Sequence, residues 1–244
     1  MTLTYLFTEL RRTYRNPRYL LFTIGIPVVL FLVIGNAFQG DVFGVSAQTW
    51  YMVNMGVFGA TSAVLGVGAR IADERDQGWN RQLRLTPLPP MGYVVGKVLT
   101  GMLVALPALG LVGLAGRLTG DVHLSAMQWV EVIGLGWLAV LPMAVVGVGL
   151  GYLSSGDNAQ AVNTGTVMLM SMFGGIWFPI TAASPGWLRS TAHLMPTYWI
   201  TEITRAPLTH AWPAVGGWAV LAAWVAVGAR LAARGYQRDE VRAV

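Results

Sequence analysis

The chain has 244 residues, of which 55% are hydrophobic and only 11% are charged. Soluble domains carry roughly a quarter charged residues, so this composition excludes an ordinary soluble protein and predicts an all-α polytopic membrane protein. The sequence contains no cysteine, which excludes disulfides and thiolate chemistry. Its formal charge of +5 comes from Arg and Lys blocks that flank apolar stretches, a pattern that favours membrane orientation over nucleic-acid binding.

The first 18 residues predict an amphipathic helix that lies in the membrane interface. Apolar side chains recur at helical spacing on one side (Leu3, Leu6, Phe7, Leu10, Tyr14), and polar ones occupy the other (Thr8, Glu9, Arg11, Arg12, Arg15). Asn16 and Pro17 predict a break before the first span. The alternative is an extension of that span with snorkelling arginines. No small-residue cleavage pattern follows the span, so we expect a retained helix rather than a signal peptide.

Six apolar stretches are long enough to cross a bilayer. They are residues 19–38, 50–69, 94–116, 130–153, 161–180 and 212–229. Thirteen Lys and Arg residues fall on one side of the resulting topology and three, Arg117, Arg189 and Arg205, on the other. Because positive residues near span ends stay in the cytoplasm, both termini are predicted to be cytoplasmic. No hydrophilic linker divides the chain, which predicts a single transmembrane domain over residues 1–244.

The segment 181–211, between the fifth and sixth spans, is rich in proline and aromatic residues and too short to cross twice. We expect broken re-entrant helices that dip into the outer leaflet, where irregular backbone must be shielded by protein or line a wet cavity. The alternative is an extracellular loop that aromatic side chains anchor at the interface.

The chain offers little catalytic or ion-coupling chemistry. The span interiors lack ionisable residues, with Lys97 and Glu131 only in the first turns of spans three and four, which argues against proton or ion coupling. The three histidines are not at metal-ligand spacing, and we predict no metal site and no catalytic residue. The stretch from Gly92 to Lys97 is one residue short of a phosphate loop and is followed by Val98, so we expect no ATP on this chain.

Small residues at four-residue spacing are also present. Gly92 and Gly96, and likewise Gly147 and Gly151, have the spacing that lets two membrane helices approach closely. Such pairs are common in membrane helices, so this signal is weak.

A charged loop, residues 70–92, joins spans two and three on the cytoplasmic side. Residues 71–84 contain no proline and predict a helix, in which Arg70 and Glu74 are spaced to pair. The prolines of residues 86–90 then end it. Trp79, Leu83 and Leu85 are apolar side chains among the charges, as a docking surface needs. The alternative is a solvated charge cluster; we favour the docking of a partner protein.

These residues resemble the transmembrane subunit of type 2 ABC exporters, over nearly the whole chain. The family pattern "ERE-G-T-L-x-R-L-x-x-TPL", followed by "GK", falls on Glu74, Arg75, Asp76, Gly78, Arg81, Leu83, Thr86, Pro87, Leu88, Gly96 and Lys97. The stretches "GGIWFPI", "SPGWLRSTAHLMPTYW" and "DNAQA" are similar to the end of the family's fifth span, its outer re-entrant helices and its second cytoplasmic turn. Trp79 departs from the usual small residue.

The resemblance implies a permease subunit of an ATP-driven exporter in the bacterial cytoplasmic membrane. A separate ABC ATPase subunit, which holds ATP and Mg, would dock on the cytoplasmic loop. A second copy or a similar permease would complete the transporter. The implied coupling residues are Glu74, Arg75, Asp76, Gly78, Trp79, Arg81, Leu83, Arg84 and, in the second turn, Asp157.

The implied substrate is amphiphilic, such as a drug, an antibiotic, a lipid or a lipid-linked glycan. Apolar spans with scattered polar groups supply a candidate pathway: Asn54, Phe58, Asn163, Thr166, Met170, Phe173 and Phe178. Such residues also serve in helix packing. The alternatives from other classes are a membrane scaffold that transports nothing and an intramembrane enzyme.

Overall fold

The computed structural model describes residues 2–35, 37–38, 40–78, 90–119 and 122–241. Helix α1 (Thr2–Tyr14) is followed by a break at Asn16, whose side-chain oxygen accepts a hydrogen bond from the Tyr19 amide at 3.1 Å. The chain continues through α2 (Pro17–Leu20), a π-helical turn (Leu21–Gly25), α3 (Ile26–Leu30) and a second π-helical turn (Phe31–Gly35). The predicted break at Asn16 and Pro17 is therefore confirmed.

A short hairpin leads into the central helix. Strand β1 (Asp41–Val42) pairs antiparallel with β2 (Val45–Ser46), and Gly44 takes a positive φ of 80° in the turn. Ser46 then caps α4 (Ala47–Asp76), because its hydroxyl accepts a hydrogen bond from the Thr49 amide at 3.2 Å. At 30 residues, α4 includes the second predicted span and part of the predicted cytoplasmic loop.

Seven further helices follow among the described residues. They are α5 (Pro90–Leu118), α6 (Ala126–Ala139), α7 (Leu141–Leu153), α8 (Gly156–Phe173), α9 (Gly186–Leu194), α10 (Pro196–Thr209) and α11 (Val215–Val241). Ser125 and Gln128 form a capping box at the start of α6. Pro142 lies in the first turn of α7, and the chain breaks between α6 and α7 at Val140.

Within the described part of the chain, four helical segments are long and apolar enough to cross a membrane. They are Ala47–Asp76, Gly92–Leu118, Ala126–Leu153 and Val215–Gln237, which correspond to predicted spans two, three, four and six. The first predicted span has a shorter apolar helix, Leu21–Gly35. The architecture is thus that of a helical multi-pass membrane protein, and the count of six spans stays a prediction.

The fifth and fourth predicted spans differ from the sequence-based expectation. Helix α8 ends at Phe173 and not at Ile180, because Gly174 ends the helix and Gly175 adopts a φ of 73° that an L side chain rarely takes. The fourth predicted span is two helices rather than one. In the outer segment, α9 and α10 are separate short helices joined at Met195, and their depth in the membrane stays a prediction.

Helix α4 forms the centre of the protein and packs against α5, α7 and α8. Its contact with α7 is backbone to backbone: a Cβ atom on Gly68 would lie 2.3 Å from the carbonyl oxygen of Gly147 and 3.3 Å from the Gly151 amide. The close approach predicted from Gly147 and Gly151 is confirmed. Gly96 instead makes room for the ring of Tyr5 on α1, which a Cβ atom would approach to 2.6 Å.

Candidate functional site at the C-terminal end of the central helix

The C-terminal end of α4 is predicted to face the cytoplasm, and we call it the cytoplasmic end. It carries the first part of the predicted coupling loop. The helix runs past the second predicted span without interruption and ends at Asp76, where Gly78 takes a left-handed φ of 71°. The Gly78 amide donates to the carbonyl of Arg75 at 3.0 Å, which closes the last turn. Trp79, Arg81, Leu83 and Arg84 fall in residues 79–89, outside the described residues.

Glu74 points into the protein and is 3% exposed. Its Oε1 accepts hydrogen bonds from Lys97 Nζ at 2.6 Å and from Arg12 Nη1 at 3.1 Å, and its Oε2 accepts from the Tyr93 hydroxyl at 2.8 Å. These partners come from α1 and α5. The carboxylate is therefore engaged within the chain, and its role in coupling stays a prediction.

Lys97 is the centre of this cluster and is 1% exposed. Besides Glu74, its ammonium contacts Glu9 Oε1 at 2.5 Å. Glu9 lies on α1 and is also buried. Each charge is thereby paired, as burial requires. We call Glu9, Glu74 and Lys97 the ionic latch, because they join three helices: α1, α4 and α5.

Arg70 supports the latch from the previous turn of α4. Its Nη1 lies 3.8 Å from Glu9 Oε1 and donates a hydrogen bond to the Thr13 hydroxyl, while its guanidinium lies 4.3 Å from the centre of the Tyr19 ring. The sequence predicted that Arg70 pairs with Glu74 along the helix. The structure directs Arg70 instead toward α1 and α2.

The face of α1 that packs against the protein differs from the predicted one. Glu9 and Thr13 are buried, whereas Phe7, assigned to the apolar side, is 70% exposed. Burial of the hydroxyl-bearing ring of Tyr5, with Glu9 and Glu74 nearby, raises the pKa of Tyr5 above its usual value. A helical wheel places charged residues toward water, so the burial of Glu9 was not predicted. The one signal in the sequence is that Glu9 is the only acidic residue among the first 40.

Arg75 connects α4 to the second predicted cytoplasmic turn. Its Nη1 donates to the carbonyl oxygens of Gly151 at 3.0 Å and Ser154 at 3.3 Å, and the guanidinium lies 5.5 Å from the centre of the Tyr152 ring. A cation at the last carbonyls of α7 favourably meets the helix dipole. The end of α4 is therefore bonded to the end of α7, just before the second predicted turn.

The remaining predicted coupling residues are Asp76 and Asp157. Asp76 is exposed at the end of α4. Asp157 lies in the first turn of α8, and its side chain is outside the described part of the chain. Their role in coupling stays a prediction.

Several predicted pathway residues are buried within this single chain. Asn54, Phe58, Asn163 and Met170 belong to this group, whereas Thr166 and Phe173 are half-buried and Phe178 is exposed. Phe58 packs edge-on against Trp177, with the ring centres 5.3 Å apart. The structure therefore gives Phe58 a packing contact, and the pathway itself stays a prediction.

Asn54 belongs to a second buried polar network, near the N-terminal end of α4, which we call the outer end because it is predicted to face away from the cytoplasm. Its amide nitrogen donates to the carbonyls of Gly175 at 3.3 Å and Ile176 at 3.0 Å, just after α8 ends. Its Oδ1 accepts from Arg205 Nη1 at 2.6 Å, and Arg205 Nη2 also contacts Glu202 at 2.5 Å. Arg205 is buried, although the charge count along the sequence treats it only as an outer-side cation.

Among the described residues, no group of three or more His, Asp or Glu is placed to hold a metal ion. The charged groups of both networks pair with each other or with backbone carbonyls. The arrangement is suited to fixing helices relative to one another.

Comparison with known proteins agrees with this architecture. The sequence profile of the family described as "ABC-2 type transporter" matches residues 2–208. The chain is also 27% identical, over 194 residues, to the "Putative transport permease YvfS" of Bacillus subtilis (strain 168), an alignment that covers 78% of each protein. This family match includes both polar networks and the predicted cytoplasmic loop, and the chain belongs to the ABC-2 type transporter family.

Proposed function

We propose that this chain is the permease subunit of an ATP-driven exporter. A separate ABC ATPase subunit binds ATP and Mg, docks at the cytoplasmic ends of α4 and α7, and supplies the energy. Two permease subunits, either two copies of this chain or this chain with a similar one, form the pathway in the bacterial cytoplasmic membrane. Both termini face the cytoplasm.

The bond network of Arg75 carries this proposal. It joins the end of α4 to the end of α7, which supports a common docking region for the starts of the two segments that the family resemblance assigns to ATPase contact. Asp76 is exposed in that region, and Gly78 begins the connection to the following loop. A displacement of that region would therefore act on α4 and α7, which belong to two of the candidate membrane spans.

An amphiphilic substrate fits the apolar surface that α8 leaves uncovered. Met168, Leu169 and Met172 are exposed on this helix, and Phe178 is exposed after it. Thr166, half-buried on the same helix, adds a hydroxyl. A second permease subunit facing this surface would enclose a mostly apolar path with a few polar groups, which suits drugs, antibiotics, lipids and lipid-linked glycans.

Co-expression with candidate ABC ATPases, beginning with any encoded beside this gene, tests the proposal. We expect the ATPase to co-purify with the permease, and ATP hydrolysis to require the ATPase subunit. Reconstituted vesicles should move a fluorescent amphiphile only when both subunits and ATP are present. Asp76→Ala should weaken co-purification, whereas Asp41→Ala, an exposed acid on the predicted outer side, should not.

Orientation is tested by the reaction of single cysteines with an impermeant thiol reagent in intact cells. A cysteine at the exposed position Ala126 should react, and one at Gln77 should be protected. Stable assembly without any ATPase, together with ATP-independent function, would contradict the proposed exporter. The reverse labelling pattern would contradict the orientation alone.

A further inference from the structure

We propose that Lys97 is a positioning residue that makes α1 and the cytoplasmic end of α4 move as one unit. The inference rests on the proposed function in one respect, namely that the segment after α4 is where an ATPase acts. A displacement of that segment would then carry the N-terminal helix with it.

The geometry of the ionic latch supports a rigid connection. One ammonium, on α5, is shared by a carboxylate from α1 and a carboxylate from α4, at 2.5 and 2.6 Å. The three groups are almost completely buried. If α1 moved away from α4, Glu9 or Lys97 would lose its ionic partner inside the protein, which is strongly unfavourable.

The surroundings of the latch favour the same pairing of helices. On the side of α1, Thr13 bonds Arg70 of α4, and the Tyr5 ring packs against the backbone of Gly96. The opposite side of α1, including Phe7, is exposed. Toward α2 the chain breaks at Asn16. Helix α1 thus packs against α5, and side-chain bonds of Arg12, Arg70 and Lys97 join it to α4.

The charges predict a specific pattern among variants. Lys97→Met removes the shared ammonium and leaves the carboxylates of Glu9 and Glu74 facing each other. Adding Glu9→Gln removes one of these two negative charges and leaves Glu74 with Tyr93 and Arg12. We therefore expect α1 to be held against α4 more firmly in the double variant than in Lys97→Met alone. A general loss of packing would not make the double variant better than the single one.

Distance measurements test the positioning directly. Cysteines at the exposed positions Thr8 and Gln77 in this cysteine-free chain carry spin labels, and the chain is studied in lipid nanodiscs. We expect a single narrow distance distribution, which stays unchanged when a bound ATPase is trapped with ATP and vanadate. Lys97→Met should broaden the distribution, and adding Glu9→Gln to Lys97→Met should narrow it in part. Arg11→Gln, an exposed charge on α1 outside the latch, is the matched control and should change nothing.

The outcomes separate this inference from the proposed function. A narrow distribution in Lys97→Met, or a parent distance that shifts on trapping, would overturn the latch. If Lys97→Met does not accumulate, Glu9→Gln alone is measured, and an unchanged distribution there also overturns it. If the distances behave as expected but no ATPase binds the chain, the latch stands and the exporter proposal fails. With transport active, Lys97→Met should lower the substrate moved per ATP hydrolysed at equal amounts of complex.

Discussion

The two ends of α4 are both held by buried charges, but the charges are arranged differently. At the cytoplasmic end, two carboxylates share the ammonium of Lys97, and all three groups are almost completely buried. At the outer end, the Arg205 guanidinium is shared between Asn54 and Glu202, and the Glu202 side chain is 32% exposed. Water can therefore replace a lost partner at the outer end more readily than at the cytoplasmic end.

The two ends of α4 can therefore serve different purposes. The cytoplasmic cluster joins α1, α4 and α5 through buried charges. Separating these groups would leave a charge without its partner inside the protein. The outer network joins α4 to α10 and to the backbone after α8, through one amide and one guanidinium. If the protein alternates between inward and outward states, we expect the outer network to rearrange and the cytoplasmic cluster to move intact.

Glu74→Ala should have the largest effect on stability. It removes the acceptor for Lys97, Tyr93 and Arg12 in a buried site, and breaking a buried pair from one side costs about 3 to 5 kcal/mol. We expect a large loss of intact protein in the membrane and a lower unfolding midpoint in detergent. Glu74→Gln keeps the shape and one acceptor oxygen and is the control. Equal stability of Glu74→Ala and the parent would show that the buried contacts contribute nothing.

Arg205→Met should have the second largest effect. Asn54 loses a charged hydrogen-bond donor, a bond worth about 1.5 to 3 kcal/mol, while water reaches the freed Glu202 carboxylate. The unfolding midpoint in detergent should fall less than for Glu74→Ala. Glu202→Gln, which leaves the bond to Asn54 intact, serves as the comparison and should cost less still. A larger loss for Arg205→Met than for Glu74→Ala would reverse the proposed order of the two ends.

Arg75→Met should cost about 1 kcal/mol, because it removes a partly exposed cation from the C-terminal carbonyls of α7. Its functional effect should be larger than its effect on stability, since the bond joins the two proposed ATPase contacts. Hydrolysis and transport by the reconstituted complex should become less tightly coupled. The measurement is transported amphiphile per ATP hydrolysed, and an unchanged ratio would contradict a linking role for Arg75.

Arg12→Gln should have the smallest effect. Arg12 bonds the same carboxylate as Lys97, but its side chain is 60% exposed, and exposed ion pairs contribute only about 0 to 1 kcal/mol. The unfolding midpoint should stay within about that range of the parent. A loss comparable to that of Glu74→Ala would indicate that burial does not decide the strength of these pairs.

Much of the fold followed from the sequence because apolar length and charge placement are local signals. The break at Asn16, the helical continuation past Ile71 and the close approach at Gly147 could all be predicted in this way. The latch could not, since Glu9 and Lys97 are 88 positions apart and each has the local pattern of a water-facing or orientation-setting charge. The bond between Asn54 and Arg205 could not be predicted for the same reason, because the two residues are 151 positions apart.

The burial of α4 also has a consequence for the synthesis of the protein. This helix is the least apolar of the four membrane-crossing candidates in the described chain, yet nearly all of its apolar window is covered by other helices. Its buried polar side chains, including Asn54, Thr49 and Thr61, can be covered only after α5 and later segments have been made. Because each polar group opposes entry into lipid, we expect α4 to leave the insertion machinery late, accompanied by the helices that follow it in the chain.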